Sequence, residues 1–92
     1  MQIRRKFPGK SDGEILRRVH DMMSHFAEKF SLDYRRDESS QSGRVSKMGV
    51  TGTYQVRGEE VLVELKFPLL VPGKMRQRVE EEIERKIDAL FS

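Results

Sequence analysis

The chain has 92 residues, 36% of them hydrophobic and 36% charged, with a formal net charge of +3 and a sequence pI near 9.4. This length fits one domain, residues 1–92, near the lower end of what folds around its own core; such a chain buries about 60–65% of the surface its unfolded form exposes, which leaves little room for a large cofactor. Cysteine is absent, which excludes a disulfide framework, a thiolate nucleophile and any Cys-ligated zinc or iron–sulfur centre.

The opening Met1-Gln2-Ile3-Arg4-Arg5-Lys6-Phe7 has no apolar run behind its charges, so no secretory signal is expected. No segment is apolar over the length a bilayer requires, and a soluble cytoplasmic protein is the expectation. Residues 1–46 hold ten Lys/Arg against seven Asp/Glu, whereas residues 47–92 hold eight of each. That mild bias is compatible with a polyanion partner but falls short of a dedicated basic domain.

Gln2 to Phe7 reads as a short strand, with Ile3 and Phe7 on one side and Arg4 and Lys6 on the other. Pro8-Gly9-Lys10 breaks it. Ser11-Asp12-Gly13-Glu14 has the spacing of a capping box, and the helix it opens carries Ile15, Leu16, Val19, Met22, Met23, Phe26 and Phe30 on one stripe. Ser31 to Asp33 ends that helix. Leu32 to Glu38 is a weak strand closed by the turn residues Ser39–Gly43. Strands are predicted next at Arg44 to Met48, Val50 to Arg57 and Glu60 to Phe67, the last two joined by a Gly58-Glu59 hairpin loop. Lys74 to Phe91 is the second helix, with Met75, Val79, Ile83, Ile87, Leu90 and Phe91 on its apolar stripe.

The predicted fold is therefore α+β, in the order β-α-β-β-β-β-α. Each element has one apolar side, and the economical solution is two layers: an antiparallel sheet with both helices packed on one face. The other face then meets water and carries Arg4, Lys6, Arg35 and Arg44 among polar neighbours.

Several short patterns carry chemistry elsewhere. Gly9-Lys10-Ser11 lies between strand and helix like a phosphate-binding loop, but Arg4 stands where the pattern needs its first glycine, so a turn and a cap are the reading. Gly49-Val50-Thr51-Gly52 has the G-x-x-G spacing of an RNA-clamping loop, yet it joins strands and not helices, and the glycines are read as serving backbone geometry. His20 and His25 are five residues apart, about 140° around a helix, which does not suit a shared metal. Asp21 and His25 have the spacing of a surface salt bridge. The carboxylates at Glu59-Glu60 and Glu80-Glu81-Glu82-Glu84 alternate with cations, as on a solvated face. No catalytic group, metal site or cofactor is expected.

The least bland segment is Phe67-Pro68-Leu69-Leu70-Val71-Pro72, an almost wholly apolar connection followed by Lys74, Arg76 and Arg78. Two placements satisfy it. Leu69 to Val71 fold under the second helix and close one end of the core, or they stand exposed as a contact for a homodimer, a partner protein or a lipid-like surface.

Gly49-Val50-Thr51-Gly52-Thr53-Tyr54, Val61-Leu62-Val63-Glu64-Leu65, Phe67-Pro68-Leu69-Leu70 and Val79-Glu80-Glu81-Glu82-Ile83-Glu84-Arg85-Lys86-Ile87-Asp88 resemble the polyhydroxyalkanoic acid system protein family. Ile3-Arg4-Arg5 and Phe30-Ser31-Leu32-Asp33-Tyr34-Arg35 are similar to it as well, while Phe7 to Asp12 and the Ser39–Gly43 turn depart from its pattern. Members are small bacterial proteins encoded in regions devoted to polyhydroxyalkanoate synthesis. The resemblance implies a setting in storage-polymer metabolism and transfers no catalytic residue.

The combined expectation is a non-enzymatic accessory protein of that system, binding a partner protein or the granule surface through Leu69, Leu70, Val71, Lys74 and Arg76. The alternative is a nucleic-acid- or ribosome-associated module using Arg4, Lys6, Arg35 and Arg44. A third reading, a carrier holding an apolar molecule between helix and sheet, is disfavoured by the small chain.

Overall fold

The computed structural model describes residues 1–92. Its elements follow the predicted order: β1 (Gln2–Lys6), α1 (Asp12–Phe30), β2 (Asp33–Asp37), β3 (Ser42–Lys47), β4 (Val50–Arg57), β5 (Glu60–Lys66) and α2 (Gly73–Asp88). The five strands form one sheet in the order β1-β5-β4-β3-β2, antiparallel throughout. Three consecutive hairpins build β2 to β5. The first strand then adds at the free edge of β5, with Ile3 opposite Val63.

Both helices lie on the same face. Along each strand the residues directed to that face are apolar and buried: Ile3, Val45, Tyr54, Val56, Val61, Val63 and Leu65 join residues of both helices in one 16-residue core. Helix α1 crosses β2, β3 and β4, whereas α2 lies against β1. Arg5, the helix-side cation of β1, reaches across to Asp88 of α2 at 2.8 Å.

Local chemistry fixes the boundaries. The Ser11 hydroxyl accepts the Glu14 backbone N–H at 3.2 Å and starts α1, and Ser31 ends it in the left-handed conformation. The Asp12 carboxylate accepts the N–H groups of Gly58 and Glu59 at 3.1 and 2.9 Å, tying the start of α1 to the β4–β5 turn. The β2–β3 turn closes at Glu38–Gln41, so β3 begins at Ser42 and not at Arg44 as the turn residues suggest. Asp37 holds that turn by accepting from the Ser39 hydroxyl at 2.7 Å and from the Ser39 and Ser40 backbones.

Helix α2 departs from expectation at both ends. It stops at Asp88, and Phe91 reaches the core from the following turn, packing on Phe7 with ring centroids 5.2 Å apart. Its buried positions are Ile83 and Ile87, while Val79 is half-buried and Met75 is 58% exposed. The first two turns of α2 therefore overhang the core, and the apolar stripe continues beyond the surface that could cover it.

Candidate functional site

The connection between β5 and α2 is a β-turn with Leu69 and Leu70 at its two central positions, closed by the Val71 N–H donating to the Pro68 carbonyl at 3.1 Å. Both leucines are 95% exposed. The placement under the second helix is thus corrected: the turn points its central side chains away from the fold, and α2 leaves from Pro72 without folding back over them. Val71 is half-buried and Lys74 is exposed. Arg76 braces the turn from behind, donating from Nη2 to the Pro68 carbonyl at 3.0 Å and lying over the Phe67 ring.

The antiparallel topology gathers further apolar side chains around this turn. One end of the sheet receives the starts of β1, β2 and β4, the ends of β3 and β5, the end of α1 and the start of α2. All six exposed large hydrophobic residues (Met1, Phe30, Met48, Leu69, Leu70 and Met75) lie at that end. Local contacts tie the segments together. The Met1 carbonyl accepts from the Leu65 N–H at 2.9 Å, and Lys47 Nζ donates to the Phe30 carbonyl at 3.0 Å. Gly49 sits so close to Pro68 that a Cβ there would stand 3.0 Å from the ring. Met48 and Gly49 both have positive φ, and this tight turn holds the Met48 side chain outward, 89% exposed.

The open face of the sheet carries the other candidate residues. Arg35 stands opposite Arg44, and Arg44 opposite Thr53, which pairs with Glu64. Arg44, Thr51, Thr53, Glu64 and Lys66 line a shallow hollow of about 180 Å³. Arg4 is bound to Glu60 at 2.9 Å, and Lys6 also lies opposite Glu60 in the register. Asp33, Asp37, Glu60 and Glu64 share the face, so its cations are interleaved with carboxylates. No aromatic ring lies on it, since Tyr34 and Tyr54 both point to the helix side.

A polar cluster beneath α1 went unforeseen. His20 is only 4% exposed, and its Nδ1 bonds the Tyr54 hydroxyl, which in turn bonds the Tyr34 hydroxyl. The Nε2 atom has no hydrogen-bond partner; the Glu38 carboxylate stands 3.7 Å away. That negative charge favours the tautomer with its proton on Nε2, so Tyr54 donates to Nδ1 and accepts from Tyr34. Burial pushes the His20 pKa below its ordinary value and is also the main cause raising both tyrosines. His20 is therefore neutral at pH 7, and the two tyrosines, with raised pKa values, stay protonated and serve as hydrogen-bonding groups. One signal in the sequence pointed here: His20 occupies the same helical stripe as Leu16, Met23 and Ala27.

His25 is exposed, and its Nδ1 meets the backbone carbonyl of Asp21 at 2.8 Å, not the carboxylate. The expected salt bridge is replaced by this local contact. In the Gly9-Lys10-Ser11 segment the Gly9 N–H is already bound to the Glu59 carboxylate at 2.8 Å. The anion held by this loop is the chain's own. Gly52 lies against Val45 and Leu65 in the core, in keeping with a packing role for the G-x-x-G pattern.

No curated protein and no solved structure matches the sequence significantly. A family model described as "Putative polyhydroxyalkanoic acid system protein" matches residues 3–91, nearly the whole chain. The turn at Leu69–Leu70, the glycine-closed hairpin beside it and the amphipathic α2 all fall within the matched span. The chain belongs to the polyhydroxyalkanoic acid system protein family.

Proposed function

We propose that the protein is a non-enzymatic, cytoplasmic accessory protein that docks by its apolar end on the surface of the polyhydroxyalkanoate granule. The observation that carries this reading is the collection of every exposed large hydrophobic side chain at one end, around a braced turn that projects two leucines. Moving a leucine of this kind from water to an apolar surface contributes about 1.5–3 kcal/mol. Leu69 and Leu70 together then supply enough to hold a small protein weakly, with Met48 and Met75 adding to it. The turn is convex and stiffened by Pro68, Pro72 and Arg76, which suits insertion at a surface better than capture of a ligand in a cavity. A partner protein or a second copy of this chain would meet the same end. Granules incubated with purified protein and with the Leu69→Asp/Leu70→Asp variant test the docking; equal retention of both removes it.

A second reading rests on Arg35 opposite Arg44. Like charges directly across a strand pair are unfavourable unless an anion lies between them, and a nucleic-acid phosphate would serve. The carboxylates sharing that face weigh against it. Binding that falls steeply with salt and is lost in Arg35→Ala/Arg44→Ala would favour it.

A further inference from the structure

Resting on the docking role above, we propose that the surface met by the apolar end is an anionic phospholipid layer, with lipid phosphate as the polar partner. The end that collects the apolar side chains also collects cations from four separate segments: Lys29 at the close of α1, Lys47 closing β3, Lys66 closing β5, and Lys74 and Arg78 in α2. Against them stand Glu28, Asp33 and Glu64, the last beside Lys66 on the open face. The first turn of α2 contains no acidic residue and has no side-chain cap.

This arrangement is unfavourable within the isolated chain. Lys74, in the first turn of α2, opposes the helix dipole, whose positive pole is at the N-terminus. A neutral polyester surface or an apolar protein groove does nothing to offset that cost. A layer of lipid phosphates offsets it directly: the ammonium and guanidinium groups stay at headgroup level on their long stems while the turn between them enters the acyl region. Leu69 and Leu70, both 95% exposed at the centre of the turn, are flanked in the chain by the exposed Lys66 and Lys74, so apolar and cationic chemistry stand side by side as acyl chains and headgroups do. Lys29 lies 5.3 Å from the centre of the Phe30 ring, and this pairs an interfacial aromatic with a cation at the rim.

The test is flotation of the full chain with vesicles of phosphatidylcholine alone and of equimolar phosphatidylcholine and phosphatidylglycerol, beside lipid-free particles of amorphous polyhydroxybutyrate. Expected is binding to the phosphatidylglycerol vesicles that weakens with added salt, with little binding to phosphatidylcholine alone. Each neutralised cation should lower affinity about fivefold, so Lys74→Gln/Arg78→Gln should bind markedly more weakly. Its thermal midpoint should not fall, since both side chains are exposed. Binding to polymer particles without preference for anionic vesicles overturns the lipid assignment and leaves the docking role standing. Binding to neither vesicles nor polymer overturns both. Unchanged vesicle affinity in the double variant overturns the assignment of the phosphate partner to Lys74 and Arg78.

Discussion

Gly43 lies opposite Tyr54 in the β3–β4 ladder, and the Tyr54 ring occupies the space a side chain at Gly43 would fill. A Cβ there would overlap the phenol hydroxyl and ring. Gly43→Ala must therefore displace Tyr54 and, with it, the hydrogen bonds to His20 and Tyr34. The expected loss is about 1–3 kcal/mol, as for other insertions into a filled core, read from the urea midpoint. An unchanged midpoint would mean that the ring does not rest on Gly43.

His20 makes stability depend on pH in a defined direction. Its ordinary value is 6.5 and burial lowers it in the folded chain, so the unfolded chain binds the proton more readily. The contribution is full above pH 6.5 and is lost as pH falls through the lower folded value. The groups facing the imidazole are Tyr34, Arg36 and Glu38 from the β2 segment, Tyr54 from β4 and Asp21 from its own helix; Glu38 and Asp21 oppose the shift and Arg36 adds to it. Denaturation between about pH 7 and pH 5 should show wild type losing stability faster than His20→Asn. Parallel pH profiles would contradict a neutral, buried His20.

Helix α2 offers a paired comparison along one stripe. Ile83 is fully buried, and Ile83→Ala should cost about 2–5 kcal/mol. Met75 belongs to the same stripe by spacing but overhangs the core, so Met75→Ala should stay within about 0.5 kcal/mol. Comparable losses at both positions would mean that the start of α2 is covered within the chain after all.

The open sheet face should bind a mixed-sequence single-stranded RNA weakly. Any such binding should vanish between about 50 and 200 mM salt, because Asp33, Asp37, Glu60 and Glu64 offset its cations and no ring is available for stacking. Gel-shift or anisotropy titration measures this. Tight binding that survives physiological salt and depends on Arg44 would move function to this face.

Element order, both helical stripes and the β4–β5 hairpin were legible in the sequence because each is a local pattern: a capping serine, a period of 3.6 or 2, a glycine at a turn. The Leu69–Leu70 turn was not decided by composition. Apolar residues state a preference for burial, but whether a surface exists to cover them depends on where α2 departs from Pro72, which is a tertiary fact. The His20 cluster escaped for a related reason: its members lie on three elements, 14 and 34 residues apart from His20 along the chain. A histidine on an apolar stripe and a glycine opposite a tyrosine become a signal only once the strand register is known. Arg4, Lys6, Arg35, Arg44 and Lys74 are exposed, whereas Arg76 is half-buried and braces the turn, because its guanidinium reaches the Pro68 carbonyl.

Granule recruitment of Leu70→Asp, measured beside its thermal unfolding, tests the docking role most directly. Leu70 is almost fully exposed, so a carboxylate there remains solvated in the free protein and the unfolding midpoint should match wild type. At an apolar contact the same carboxylate must lose its water at a cost of several kcal/mol, and recruitment should fall to background. A variant that folds like wild type and still coats granules like wild type would contradict docking through the apolar end.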